Sequence, residues 1–228
     1  MIATSREIWV YLAGDWLFRK SGQKAIFNPV LIAIVILVSI LLATGTSYST
    51  YFEGAQFVHF LLGPATVARA IPLYAQSARL KRLALPLLLT LVAGSITAAV
   101  SAVAVAALFG ASRVTQLSLA PKSVTTPIAM GIAERIGGLP SLTAVLVITT
   151  GILGAIGARY AYRLLAAEDE AVRGFAMGIA SHGIGTARAF QESEQAGAFA
   201  ALAMGLNGLA TALLVPLLVP PLLALSGG

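Results

Sequence analysis

Pro121-Lys122-Ser123-Val124-Thr125-Thr126-Pro127 sits between two apolar runs, Leu83 to Gly110 and Pro140 to Tyr160, that are built to live in lipid. A charged residue at the bilayer centre costs about 2.5–3.5 kcal/mol on insertion scales, so it marks a pathway or a site facing protein or water. Two prolines and three hydroxyls around Lys122 exclude a plain helix. Broken backbone at membrane depth is tolerated only where it is buried in protein or lines a cavity. The stretch therefore predicts an all-α integral membrane protein with discontinuous or re-entrant helices around a solute site.

Composition agrees. Of 228 residues, 58% are hydrophobic and 11% charged, with a mean hydropathy of +0.88; a soluble domain carries about 25% charged residues. A span needs about 20 apolar residues, so this length holds roughly six to eight membrane segments and no large soluble domain. The net charge of +6 does not indicate nucleic acid. The bases collect at the ends of apolar spans, as topology signals do, and are not interleaved with stacking aromatics. With no cysteine there is neither a disulfide nor thiol chemistry. The apolar run Ile8 to Ala13 is too short for a signal peptide, and Asp15 interrupts the chain just beyond it. No zinc-binding helix motif, nucleophile elbow or carboxylate pair is present, so no enzyme, metal or cofactor is expected.

Orientation is set by the bases. Pro29 to Gly45 is preceded by Arg19, Lys20 and Lys24, which the positive-inside rule places in the cytoplasm. Phe57 to Tyr74 returns toward Arg79, Lys81 and Arg82, and Leu83 to Gly110 leads out again. Along that run Gly94, Ala98, Ala102, Ala106 and Gly110 form a small-residue stripe suited to helix packing. Pro140 to Ala158 ends at Arg159 and Arg163, again cytoplasmic, so the Lys122 segment must enter and leave by one face. Gly174 to Ala189 is then expected to run outward and Gly197 to Leu225 to return. The halves, about 29–110 and 113–225, have opposite orientations, the signature of an inverted-repeat, transporter-like bundle with a midplane site. Residues 1–27, with Trp9 and Trp16, read as an interfacial helix, and 28–228 as one membrane domain.

Three polar clusters carry the chemistry. Around Lys122, the hydroxyls of Ser123, Thr125 and Thr126 precede Pro127, a good helix start. Helix starts present free N–H groups and partial positive charge, so with Lys122 they suit an anion, a carboxylate or a phosphate. The competing reading is a lysine that snorkels to an interface. In Ser181-His182-Gly183-Ile184-Gly185-Thr186-Ala187-Arg188, Gly183 and Gly185 permit unwinding, and Thr186 can cap a restarted helix. Arg188 offers a fork for a carboxylate, against an ion pair with Glu192. His182 is the natural proton-coupling residue, against a hydrogen-bonded packing histidine. The third cluster, Leu62-Gly63-Pro64-Ala65-Thr66, breaks the second segment at Gly63 and Pro64, with His59 and Arg69 beside it. Asn207, on an otherwise apolar helix, is either interhelical glue or a ligand contact. Lys122 and Arg188 are expected to share one cavity.

Several of these strings resemble the LrgB/CidB membrane proteins. They are Pro121 to Met130, Gly137-Gly138-Leu139-Pro140-Ser141-Leu142-Thr143-Ala144, Ser181 to Arg188, Gly197-Ala198-Phe199, Leu202 to Gly208, and Leu62 to Ala65 with Pro72-Leu73-Tyr74. The likeness covers residues 28–225. Arg69, where a small or aliphatic residue is usual, and the less apolar first helix depart from the pattern. The resemblance implies one of two roles. One is a transporter of a small 2-hydroxy or 2-oxo monocarboxylate (glycolate, glycerate, lactate or pyruvate), as in the LrgB-like half of the plastidial glycolate/glycerate translocator. The other is an antiholin-like or holin-like protein modulating murein hydrolase export and cell lysis. It further implies a multi-pass protein of the bacterial inner membrane rather than the plastid envelope, and any need for an LrgA/CidA-like partner falls to a separate subunit; a homo-oligomer is also expected.

Overall fold

Local signals set the helix boundaries. Asn28 caps α2 (Pro29–Thr44), its Oδ1 accepting from the Val30 and Leu31 amides, and Gly45 ends it at φ 63°. Ahead of it lies α1 (Ile2–Lys20), whose Gly14 lets the Pro29 backbone come within contact distance. The computed structural model describes residues 2–22, 27–47, 50–54, 74 and 76–226. Apart from Tyr74, the expected broken segment at 57–74, with Gly63 and Pro64, lies outside them.

The chain divides into two units, 1–71 and 72–228. The second holds α3 (Ser77–Leu108), α4 (Arg113–Leu119), α5 (Thr126–Ile136), α6 (Pro140–Leu164), α7 (Glu170–Glu192) and α8 (Glu194–Ser226). No strand occurs among the described residues. α3, α6 and α8 are long and apolar enough to cross a membrane. This is an all-α integral membrane protein.

Contacts between distant residues orient these helices. Arg79, at the start of α3, pairs with Asp169, just before α7, at 2.5 Å. The start of α3 and the turn from α6 to α7 therefore share one end, which also carries Lys81, Arg82, Arg159 and Arg163. At the opposite end Gly138 packs on the Ser118 backbone, the Leu139 amide donates to Ser118 Oγ at 2.8 Å, and Thr143 Oγ1 donates to the Ser118 carbonyl at 3.0 Å. The chain thus leaves α5 beside the last turn of α4, at the start of α6. At 1.5 Å per residue these helices are only about 10 and 16 Å long, against a hydrocarbon core of about 30 Å. α4 and α5 form a helical hairpin that enters from the opposite end and stops part-way.

α7 makes a second hairpin, which corrects the expectation of a crossing. His182 has φ 40° and ψ −129°, far from helical values. Beyond it the chain doubles back. Gly185 lies against Met177 and Ser181, and Ser193 Oγ donates to Glu170 Oε2 at 2.7 Å. In a straight helix those last two residues would stand about 35 Å apart. Consequently α8 starts at the basic end and runs parallel to the first limb of α7, not back toward it. Gly174 and Gly178 bring that limb onto the Ala196 and Ala200 carbonyls, where any side chain would collide with backbone.

The order in this unit is therefore helix, hairpin, helix, hairpin, helix. One hairpin enters from each end. Between them lies a core of Ala99 and Val103 from α3, Leu117 from α4, Val124, Ile132, Val147, Val215 and Val219. A second cluster joins Leu91 to Phe175, Ile179 and Phe199. The small stripe of α3 serves this packing only in part: Ala102 is buried and Gly94 meets Ile179, but Gly110 is exposed.

Candidate functional site

The tips of the two hairpins meet in the middle of this unit, and Asn207 holds both. Its Nδ2 donates to the Ser123 carbonyl at 3.0 Å and to the Ile179 carbonyl at 3.1 Å. Its Oδ1 accepts from Ser95 Oγ of α3 at 2.6 Å and from Thr211 Oγ1 at 3.4 Å. Asn207 is only 1% exposed, and both donors and both acceptor positions of its amide are used. A helix that breaks leaves carbonyls without intrahelical donors. Asn207 covers one such carbonyl at each tip, which is the interhelical role.

At the first tip, Pro121, Ser123 and Val124 are buried while Lys122 is half-buried. Lys122 Nζ lies 3.4 Å from Ser123 Oγ. Thr125 is the N-cap residue of α5 with φ −62° and ψ 147°, and Pro127 sits in the first turn. The Thr125 side chain makes no cap hydrogen bond, so the α5 N-terminus keeps amides that no capping hydroxyl occupies. Thr126 is partly exposed beside them.

At the second tip the break lies at His182 itself. The expected breaks at Gly183 and Gly185 are displaced by one residue or more: both keep negative φ, and neither is non-helical. Gly185 is required for another reason, because a Cβ there would strike Met177 and Ser181 at 2.8 and 2.5 Å. His182 is 4% exposed, and its Nε2 lies 3.0 Å from the Val147 carbonyl of α6. A carbonyl only accepts, so Nε2 carries the proton and Nδ1 is the atom left to titrate. Gly151 makes room for the ring, since a Cβ there would lie 2.8 Å from His182 Cε1. Thr186 Oγ1 donates back to the His182 carbonyl at 2.7 Å and approaches Met204 Sδ.

The structure thus gathers Lys122, Ser123, His182, Thr186 and Asn207, with the Thr125–Pro127 helix start beside them. Arg188 is engaged elsewhere, six residues down the returning limb. Its Nε lies 3.7 Å from Glu192 Oε1, and its Nη1 donates to Gln191 at 3.2 Å. The Lys122 tip and Arg188 therefore have different neighbours. Sequence reasoning missed Ser95, Gly151 and Gly154, and it gave Ser181 no role within the second cluster. Only their place inside apolar helices distinguishes them, and that does not reveal a partner.

Comparison with known proteins adds the family. The LrgB-like family model matches residues 7–220. The chain belongs to that family. It is 35% identical over 212 residues to the uncharacterized protein YwbG of Bacillus subtilis, covering 93% of this chain and 94% of that one. It is 32% identical to the antiholin-like protein LrgB of Bacillus mycoides, over 92% of this chain and 91% of the relative. The holin-like protein CidB of Staphylococcus epidermidis is 29% identical over 86% of each chain. No solved structure matches.

Proposed function

We propose that this protein of the LrgB-like family is a secondary transporter of small 2-hydroxy or 2-oxo monocarboxylates. One observation carries the reading: two helical hairpins entering from opposite ends meet at tips joined by one buried amide. Discontinuous helices meeting near the midplane are the pattern by which transporters bind solutes. The α5 start and the start of the returning limb of α7 point partial positive charge at the same place, and Lys122 adds a full one. A carboxylate of one negative charge fits such a place. His182 Nδ1 would carry the coupled proton, and Arg188 would take part only after leaving Glu192.

In this reading α3 with its hairpin and α6 with its hairpin are inverted repeats, about 77–138 and 140–192. Positive-inside topology puts the basic end in the cytoplasm of a bacterial inner membrane. The protein works without enzyme chemistry, as a homo-oligomer or beside an LrgA/CidA-like subunit.

The names of the relatives favour a second reading, a holin-like or antiholin-like role in assembly. They support it more directly than they support transport. Uptake of radiolabelled glycolate, pyruvate and lactate into proteoliposomes, with and without a pH gradient, separates the two. Transport predicts saturable uptake that Lys122→Ala abolishes while a trapped dye stays inside. Dye release without saturable uptake returns the protein to the holin-like reading.

A further inference from the structure

Between α6 and the first limb of α7 lies a half-open cavity of about 450 Å³. It extends from Leu165, Ala167 and Arg173 at the basic end to Gly154 and Ser181 beside the second tip. Its walls are small and apolar: Gly157, Ala158, Ala161, Ala176 and Ala180. Two polar groups on it are unspent. Ser181 is 0% exposed, and its Oγ has no hydrogen-bond partner among the described residues. The buried Nε of Arg173 likewise has none, although the guanidinium stacks 5.9 Å from the Tyr162 ring centroid and Tyr162 Oη donates to the Arg173 carbonyl at 2.8 Å. A buried hydroxyl without a partner is destabilising unless something arrives to bond it.

We infer that this cavity is the basic-side vestibule of the transport path, and that it selects monocarboxylates with a short alkyl tail over polyhydroxylated ones. The inference rests on the transporter reading. Arg173 at the mouth captures the carboxylate. Ser181 at the inner end donates a hydrogen bond to it, one residue from His182. The apolar walls accept the methyl group of lactate or pyruvate. They leave the terminal hydroxyl of glycerate, which takes the place of the lactate methyl, without a partner, and a site discriminates most strongly through polar groups left unpaired. The lining glycines and alanines create the space, and nothing lies within 4 Å of a Cβ built on Gly157. A larger residue at 157 therefore fills the cavity without displacing backbone.

The chain has no cysteine, so Gly157→Cys places a single thiol in the cavity. Its rate of modification by an anionic methanethiosulfonate is measured in proteoliposomes with lactate, pyruvate or glycerate present. Lactate and pyruvate are expected to slow labelling several-fold more than glycerate does. Arg173→Gln is expected to slow the anionic reagent relative to a cationic one, since a lone cation at a mouth acts mainly on encounter rate. Gly157→Leu is expected to lower lactate uptake, and Ser181→Ala to raise its KM about tenfold, the loss of one charge-assisted hydrogen bond. Equal protection by all three acids, or labelling blocked in bilayers and restored in detergent because lipid fills the groove, overturns the inference. Wild-type uptake that Gly157→Leu leaves intact, with no protection by any acid, ends the vestibule alone. Protection without wild-type uptake ends the transporter reading and the vestibule's role with it.

Discussion

Replacing Asn207 by alanine tests whether one amide holds both hairpin tips. The substitution removes the donor from the Ser123 and Ile179 carbonyls, at 3.0 and 3.1 Å, in a place that water does not reach. On the acceptor side little is lost: Ser95 Oγ also lies 2.7 Å from the Leu91 carbonyl, and the Thr211 bond is long. A buried polar group left without a partner costs about 1–3 kcal/mol. Hydrogen bonds between membrane helices average only about 0.6 kcal/mol, because the unfolded chain finds other partners. Two orphaned carbonyls between these limits give a loss of about 2–4 kcal/mol. Ser95→Ala should lose less than about 1 kcal/mol, since Thr211 still serves Oδ1. Asn207→Asp keeps the shape, loses both donors and buries a charge, so it should be worse than alanine. Both tryptophans, Trp9 and Trp16, lie in the first unit, so unfolding in mixed micelles has to be followed by far-UV circular dichroism rather than fluorescence. An Asn207→Ala protein within about 0.5 kcal/mol of wild type, or a Ser95→Ala protein equally damaged, would refute the clamp.

The strained backbone at His182 predicts that His182→Gly is more stable than His182→Ala by about 1–2 kcal/mol, because both lose the ring but only glycine fits φ 40°; equal stability in denaturant titrations would remove the strain. Gly178→Ala should cost more than about 2 kcal/mol by forcing α7 off the Ala200 carbonyl, while Gly131→Ala, in open space on α5, should gain up to about 1 kcal/mol. Melting temperatures that move the same way for both would contradict that contrast. Single cysteines at 79 and 163 should label from one side of the membrane, and those at 113 and 138 from the other. Positions 113 and 138 on opposite sides would end the hairpin topology.

Much of the fold was legible because the bilayer restricts what a chain can do. Pro29, Pro140 and the apolar runs gave α2, α6, α3 and α8 within a few residues. The first hairpin was legible too, since basic ends at Arg79 and Arg163 forbid three crossings between them. The second was not. Nothing in Gly174 to Glu192 says whether a chain passing His182 continues or reverses, because the reversal resides in two dihedral angles of a residue that is not glycine. Reading α7 as a crossing then inverted α8, which shows how one backbone angle propagates through a membrane topology.

The site was legible as chemistry but not as pairing. A polar residue in an apolar helix must find a partner, but sequence does not tell whether that partner is protein or solute. Asn207 and Ser181 show the two outcomes. The asparagine lies where four helical segments converge and spends its whole amide on them. The serine lies over Gly154, where the wall is hydrogen and carbon, and finds no partner among the described residues. Arg188 has a carboxylate four residues away on its own helix, the one arrangement that sequence spacing can foresee. Among the described residues, Lys122 has only a hydroxyl at 3.4 Å. Of the two cations expected to meet a carboxylate, Lys122 therefore has the less to give up on binding one in the proposed site.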